Sequence, residues 1–268
     1  MSGRMRLIPI LLFGLYFVYY YFGHQERVPM TGRKQLVDMS REQEARLGFQ
    51  SFQEILRTER IVRTGPLADK IREVGQKIAK VSEDPGFQWE YALIDSPEVN
   101  AFCLPGGKVA VYTGILPIAA NDSGLAAIMG HEIAHAIARH GAERMAQQKL
   151  LQIGTLAAGV AVSDMDRRQQ QAIMGALGIG GQFGIMLPFS RSHESEADYM
   201  GLMYAAKACY DPREAPKLWE RMARNSKGQP AEFMSTHPAH QTRIRDLTKW
   251  MPEALEARTA AGCPPLPQ

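Results

Sequence analysis

The sequence predicts an α+β fold that is mainly helical, with a small mixed sheet and one transmembrane helix at its N-terminus. Several segments repeat apolar residues at helical spacing behind capping residues, whereas residues 87–93 and 108–113 alternate in the manner of strands. An uncharged apolar run precedes all of these segments. The 268 residues, 45% of them hydrophobic and 22% charged, suffice for one sizeable core.

The N-terminal segment 1–27 is predicted to lie outside the globular part. Arg4 and Arg6 precede an uncharged run from Leu7 to Phe22, which ends in bulky aromatic residues rather than in the small residues of a cleavage site. We interpret the segment as an uncleaved signal anchor, with a cleaved signal peptide and a buried segment as alternatives. The positive flank predicts a single-pass protein of the inner membrane whose body lies on the periplasmic side.

The rest of the chain is predicted to form one globular domain. Residues 28–39 have the composition of a linker, residues 40–252 form the domain, and residues 253–268 form a flexible tail. Helices are expected to begin at Ser40, Pro66, Asn121, about Ser190, Asp211 and Gln241. The glycine-rich stretch 150–189 is expected to form two closely packed core helices, with a membrane-dipping hairpin as the alternative.

Charge and cysteine content argue against several functional classes. The net charge of +3 is too small a bias to indicate nucleic-acid binding, and no basic run occurs. Cys103, Cys209 and Cys263 are widely spaced, so they indicate neither a cysteine metal site nor a disulfide framework. A single pair such as Cys209 with Cys263 stays open, because sequence does not show geometry.

A metal motif, His131-Glu132-Ile133-Ala134-His135, lies on the helix predicted from Asn121 to about Gln147. Residues four apart share one helix face, so His131 and His135 can bind a single ion. Glu132 lies beside that ion, where a carboxylate can take a proton from metal-bound water. One Zn²⁺ per chain fits best, since catalytic zinc lowers the pKa of bound water to roughly 7. The alternative is a pair of unrelated surface histidines.

A third metal ligand is expected downstream. Glu194 and Asp198 are again four apart on a predicted helix, so both can face the ion. Glu194 would complete a ligand set of two histidines and one glutamate, and Asp198 would accept the other ring N–H of a ligand histidine. Glu196 is rotated by about 200° from Glu194 and cannot face the ion as well. The alternative is an acidic, solvated helix start.

Two further histidines have different predicted positions. His140 lies about 180° around the helix from His131, so we expect it to cap or pack. His237 precedes a proline in a loop that can reach the cleft. We expect His237 to be a fourth, regulatory metal ligand in a resting state or a donor to the oxyanion, with a structural turn residue as the alternative.

These residues resemble the HtpX, CAAX-prenyl-protease and Oma-type family of zinc metallopeptidases, with Oma-like and BepA-like members the most similar. The resemblance covers roughly residues 28–250 and includes, besides the metal motif, Asn100–Gly114, Phe189–Asp198 and Ser235–Pro238. It implies a gluzincin-type domain with zinc ligands His131, His135 and Glu194, Glu132 as base and Asp198 in support. It also matches His237 to a histidine that can plug the zinc in BepA-like relatives.

The resemblance also implies how substrate binds. The segment Asn100–Gly114 is similar to the active-site edge strand of the family, which can pair with an extended peptide. The residues expected to bind substrate there are Asn100, Lys108, Val109, Ala110, Val111 and Tyr112. Cys103 stands where a small residue is usual.

The implied function is that of a membrane-anchored zinc endopeptidase in protein quality control of the membrane or envelope. Its expected partners are unfolded or membrane-associated polypeptides, the membrane through the N-terminal helix, and a homo-oligomer as an open option. A chaperone that rarely cleaves is one alternative. A prenyl-peptide protease within the bilayer is the other, and it would need several transmembrane helices.

Overall fold

The computed structural model describes residues 7–181, 186–225, 233, 237 and 241–267, and its elements confirm the α+β class. In chain order they are α1 (Ile8–Gly23), β1 (Gln25–Arg27), β2 (Lys34–Leu36), α2 (Arg41–Thr58), β3 (Ile61–Val62), α3 (Pro66–Val81), β4 (Glu90–Ile94), β5 (Ala101–Leu104), β6 (Lys108–Tyr112), a 3₁₀ turn (Thr113–Ile115), α4 (Leu116–Ala119), α5 (Asp122–Ile137), α6 (His140–Ala161), α7 (Arg167–Gly181), α8 (Leu187–Lys207), α9 (Glu214–Asn225) and α10 (Gln241–Ala260).

Internal contacts divide the chain into two compact units. The first contains Met1–Val28, Gly32–Met39 and Arg139–His193, and the second contains Pro29–Thr31, Ser40–Ala138 and Glu194–Gln268. The boundaries therefore differ from the single domain predicted over residues 40–252, because a central segment groups with the N-terminal residues.

The first unit packs around Tyr20 of α1. This side chain is buried together with Leu36 of β2 and with Ala146 and Leu150 of α6. β1 and β2 pair as an antiparallel hairpin, so part of the predicted linker forms ordered structure. Two helices do cover much of the stretch 150–189, but α6 and α7 leave large apolar side chains exposed, among them Leu156, Val160 and Leu177.

α1 is shorter than the transmembrane helix predicted in residues 1–27. It has 16 residues, which span about 24 Å at 1.5 Å per residue, whereas the hydrocarbon core of a bilayer is about 30 Å thick. Within the described ranges, no helix is long and apolar enough to cross a membrane. The predicted transmembrane helix is therefore not supported.

The second unit contains a mixed four-stranded sheet in the order β3-β4-β6-β5. β4 and β6 are parallel, and the two outer pairs are antiparallel. The prediction that Lys108–Tyr112 form an edge strand is wrong, because these residues form β6 and pair with a strand on each side. β5, which sequence analysis did not separate from β6, is the edge strand at this end of the sheet.

The helix predicted from Asn121 to about Gln147 is broken in two. α5 ends at Ile137, and Arg139 has a φ of 60°, in the left-handed region that L-residues rarely adopt in helices. The Arg139 guanidinium donates to the Met39 carbonyl and pairs with Glu26. These two contacts hold Arg139 in this conformation. His140 therefore begins a new helix instead of following the metal motif around α5.

The C-terminal segment is more ordered than the predicted flexible tail at 253–268. α10 continues to Ala260, beyond the Trp250 end that the sequence suggested. A disulfide joins Cys209 to Cys263, with their Cα atoms 5.2 Å apart. The buried Arg258 donates to the carbonyls of Tyr210 and Pro264. The cross-link and these hydrogen bonds thus hold the tail in place within the second unit.

Candidate metal centre

Two glycines bring α5 and α8 into close approach at the predicted metal motif. A Cβ atom on Gly201 of α8 would lie 2.7 Å from the backbone nitrogen of His131, and one on Gly130 of α5 would lie 2.8 Å from the Gly201 carbonyl oxygen. Both distances are shorter than real Cβ contacts. Only glycine therefore permits the helix spacing that sets Glu194 and Asp198 beside the histidines.

Four side chains converge between these helices: His131, His135, Glu194 and His237. One ligand atom from each lies within 4.8 Å of all the others. The Nε2 atoms of His131 and His135 are 3.1 Å apart, and His131 Nε2 lies 3.3 Å from His237 Nδ1. Oε2 of Glu194 lies 3.4 Å from His131 Nε2, and Oε1 of Glu194 lies 3.4 Å from His135 Nε2.

These separations fit a tetrahedral metal ion. Nitrogen ligands about 2.05 Å from zinc at tetrahedral angles are separated by about 3.3 Å, close to the distances observed. The donor set of imidazole nitrogens and a carboxylate is also the set that zinc accepts. The three predicted ligands and the predicted regulatory residue His237 are therefore all within reach of one ion.

Charge balance supports the same conclusion. Glu132, Glu194 and Asp198 are buried in this one site, and Arg243 is the buried cation beside them. Buried charges are normally paired or bound to metal. With the histidines neutral, as metal binding requires, three carboxylates and one guanidinium would leave two negative charges that a divalent cation would neutralise.

Asp198 occupies the supporting position that the sequence predicts. Its Oδ1 lies 3.0 Å from His131 Nδ1, on the side of the ring opposite the converging Nε2. Burial tends to raise the pKa of Asp198, but Arg243 and His131 outweigh burial and lower it. Burial likewise tends to lower the pKa of His131, whereas its bonds to Asp198 and Glu194 raise it to about 9.

Arg243 belongs to the candidate site, although the sequence did not predict it there. Arg243 lies in the first turn of α10 and is 5% exposed. Its guanidinium donates to both carboxylate oxygens of Asp198 and lies 3.0 Å from Oε2 of Glu194. Its guanidinium carbon lies 3.5 Å from the centre of the Trp219 ring on α9. The signal in the sequence was the set of acidic residues Glu132, Glu194 and Asp198. Carboxylates that are buried together need a cation beside them.

Glu132 lies at the site with one carboxylate oxygen that accepts no hydrogen bond from the described residues. Its Oε1 is buried and has no hydrogen-bond partner among the described residues, and His237 Nε2 approaches it only to 3.6 Å. Burial raises the pKa of Glu132, and the nearby histidines only partly offset this. A buried carboxylate oxygen with no hydrogen-bond partner and a raised pKa suits a proton acceptor.

β5 packs against α5, the helix that carries Glu132. Burial and the negative charge of Glu132 together raise the pKa of the Cys103 thiol on β5 well above its usual value. Tyr112 N–H donates to the Asn100 carbonyl, so the odd-numbered residues of β5 direct their backbone groups away from β6. Ala101 N–H, which faces this outer edge, already donates to the Asn100 side chain. Cys103 is therefore the next residue of β5 whose backbone groups face the outer edge.

Comparison with known proteins connects this geometry to a family. The sequence profile of peptidase family M48 matches residues 67–251, more than half of the chain. This chain belongs to peptidase family M48. The mitochondrial metalloendopeptidase OMA1 of Schizosaccharomyces pombe is 38% identical over 249 residues, which are 91% of this chain and 72% of that protein.

Other M48 relatives cover the chain to a similar extent. The human mitochondrial metalloendopeptidase OMA1 is 34% identical over 95% of this chain and 51% of its own length. The β-barrel assembly-enhancing protease of Escherichia coli is 26% identical over 82% of this chain and 46% of its own length. The predicted resemblance to Oma-type and BepA-like proteins is confirmed, and with it the prediction of a metalloendopeptidase.

Proposed function

We propose that this M48 metalloendopeptidase binds one Zn²⁺ through His131, His135 and Glu194 and cleaves unfolded or membrane-associated polypeptides. The convergence of these donors at separations suited to one tetrahedral ion supports the proposal. Bound zinc would supply a Lewis acid and lower the pKa of water. It would also complete the charge balance of the site.

The protein residues divide the remaining work among them. Glu132 accepts the proton of the attacking water and returns it to the leaving amine, and its raised pKa brings both steps closer to neutral pH. Asp198 holds the ring of His131 in the tautomer that directs Nε2 toward the other donors. Arg243 keeps Glu194 and Asp198 ionised.

Substrate binding is proposed along β5 rather than β6. β5 packs against α5, and the backbone groups of Cys103 face the outer edge of β5. An extended peptide that pairs there would be held beside Glu132. This arrangement keeps the predicted mode of binding and moves it by one strand.

His237 is proposed as a fourth ligand that closes the site at rest. Its Nδ1 lies 2.9 Å from Glu194 and 3.3 Å from His131 Nε2, within the same donor cluster. A histidine in the fourth position would occupy the place that a catalytic metal keeps open for water. Movement of His237 would therefore precede cleavage, and the same residue would then be free to donate to the oxyanion.

Membrane association is proposed on a different observation, and a role in envelope quality control is proposed only as its consequence. The helix α1 exposes large apolar side chains, including Leu11, Leu15 and Phe22 at 66%, 71% and 71%. Exposed apolar surface of this kind indicates a membrane or protein contact. In vesicle flotation, Leu11→Glu with Leu15→Glu should reduce recovery with lipid, and unchanged recovery would reject this role of α1.

The peptidase proposal is tested by metal analysis and casein digestion of the full chain. Glu132→Gln should retain about one zinc per chain and lose 10²–10⁴-fold in rate, roughly the contribution of general acid–base catalysis. Glu42→Gln, an 84% exposed side chain on α2, is the matched control and should cleave like the wild type. His237→Ala should cleave faster if His237 closes the site. Zinc without cleavage in every variant would refute the proposal.

A further inference from the structure

The sheet of the second unit has a second open edge, on β4, at the end opposite β5. β3 pairs with β4 only through Ile61 and Val62, opposite Ile94 and Leu93. Continuing this register would place Thr64 opposite Tyr91, but Gly65 adopts a φ of 107° and α3 begins at Pro66. The chain therefore leaves the sheet before β4 is fully paired.

Tyr91 is the residue of β4 that faces the β3 side of the sheet without a β3 residue paired opposite it. Glu90 N–H donates to Gly107 beside β6, whereas Asp95 N–H donates to Arg60 on the opposite edge. Successive residues of a strand direct their backbone groups to opposite edges, so the N–H and carbonyl of Tyr91 face the β3 side. None of the described residues continues the β3 ladder opposite Tyr91.

A groove of about 370 Å³ lies at this position. Its walls come from the ends of β3 and β4 and from side chains of α2 and α3, including Leu56, Arg72 and Gln76. Trp89 forms part of the rim, where its ring is fixed by donation of Nε1–H to Asp84 at 2.9 Å. The groove thus combines apolar walls with an open strand edge.

The charges around the groove favour an acidic occupant. Arg63 is exposed on the rim and has no ion-pair partner in the part of the chain that the structure describes. Arg72 also lines the groove, although it pairs with Asp69. Glu90, the acidic residue of the lining, is neutralised by Lys108 Nζ at 2.7 Å.

We propose that this groove binds an extended, acidic polypeptide segment by adding it as a strand to β4 beside Tyr91. The backbone of the segment pairs with Tyr91, and a carboxylate side chain reaches Arg63. Such strand addition takes affinity from main-chain hydrogen bonds and specificity from side-chain contacts. The site is separate from the metal centre and does not depend on zinc chemistry.

The test uses the full chain with Glu132→Gln, which prevents cleavage, and the peptide Thr-Val-Glu-Val-Thr-amide with fluorescein on its N-terminal amine. Fluorescence anisotropy should show binding that Arg63→Glu weakens about fivefold or more, since attraction becomes repulsion. The peptide with Lys in place of Glu should show the reverse preference. Arg245→Glu, at an exposed arginine on α10, is the matched control and should leave the affinity unchanged.

Backbone pairing is tested separately by N-methylation of the peptide. Methylation at one set of alternate residues should abolish binding, whereas methylation at the other set should leave it intact, because only one set faces β4. Equal effects of both sets, or affinity that is indifferent to Arg63→Glu, would overturn the proposal. A change of oligomeric state with Arg63→Glu and no peptide binding would overturn it in favour of pairing between two copies of the chain.

Discussion

The carboxylate of Asp198 accepts two hydrogen bonds from the guanidinium of Arg243, each 2.6 Å long. The same carboxylate lies 3.0 Å from Nδ1 of His131. A single buried arginine therefore fixes the group that orients His131, a proposed zinc ligand. We therefore expect zinc binding to depend on Arg243, although Arg243 itself is expected to bind no metal.

Arg243→Lys should weaken zinc binding by about 10–100-fold, as loss of an outer partner of a ligand usually does. Lysine keeps the charge but does not provide the forked pair of donors. The affinity is measured by competition with a chromogenic chelator. Arg245→Lys, two residues away and exposed, serves as the control. Equal affinities of the two variants would show that the fork is dispensable.

Zinc affinity should rise with pH between about 6.5 and 9. Hydrogen bonds to Asp198 and Glu194 outweigh the effect of burial and raise the pKa of His131 to about 9, so the metal-free ring holds a proton throughout this range. Zinc binding must displace that proton, which predicts up to about tenfold tighter binding per pH unit and a plateau above 9. Calorimetry in buffers of different ionisation enthalpy counts the protons released. Absence of proton release at pH 7.5 would contradict the raised pKa.

Removal of the disulfide should destabilise the second unit. Cys209 and Cys263 are 54 residues apart, and closing a loop of this length is worth up to about 4 kcal/mol in the chain-entropy description. Cys209→Ser with Cys263→Ser should therefore lower the urea midpoint of unfolding. Cys103→Ser, at the free cysteine, is the comparison for loss of a sulfur without loss of a cross-link. If the midpoint of the double variant equals that of the wild type, the bond does not form in solution.

Gly48→Ala should destabilise the protein even though alanine favours helices. An added Cβ on Gly48 of α2 would lie 2.0 Å from the carbonyl oxygen of Pro105, so backbone would have to move. Gly141→Ala in α6 meets nothing within 4 Å and should stabilise by about 0.5–1 kcal/mol, the usual gain from glycine to alanine in a helix. Opposite shifts of the melting temperature are expected. Shifts of the same sign would mean that helix propensity, not contact with Pro105, dominates at residue 48.

Local signals in the sequence determined the metal motif and much of the helical pattern. Ser40 predicts the start of α2, and the structure shows its full capping box with Gln43. The four-residue spacing of His131 and His135 predicts a shared helix face, since helix geometry depends only on neighbouring residues. The same argument paired Glu194 with Asp198. Each of these inferences needed no knowledge of what packs against the helix.

Tertiary structure alone decided which distant groups complete the site. Arg243 is 45 residues from Asp198 and 112 from His131, and no local pattern predicts their contact. Strand order likewise depends on pairing across the sheet, so β6, which the family resemblance placed at an edge, lies inside the sheet. The left-handed Arg139 ends the motif helix through contacts with Glu26 and Met39, about a hundred residues away. The sequence determined the candidate ligands, because their spacing along a helix is local. Packing between distant segments decided which groups those ligands contact and which strand lies beside them.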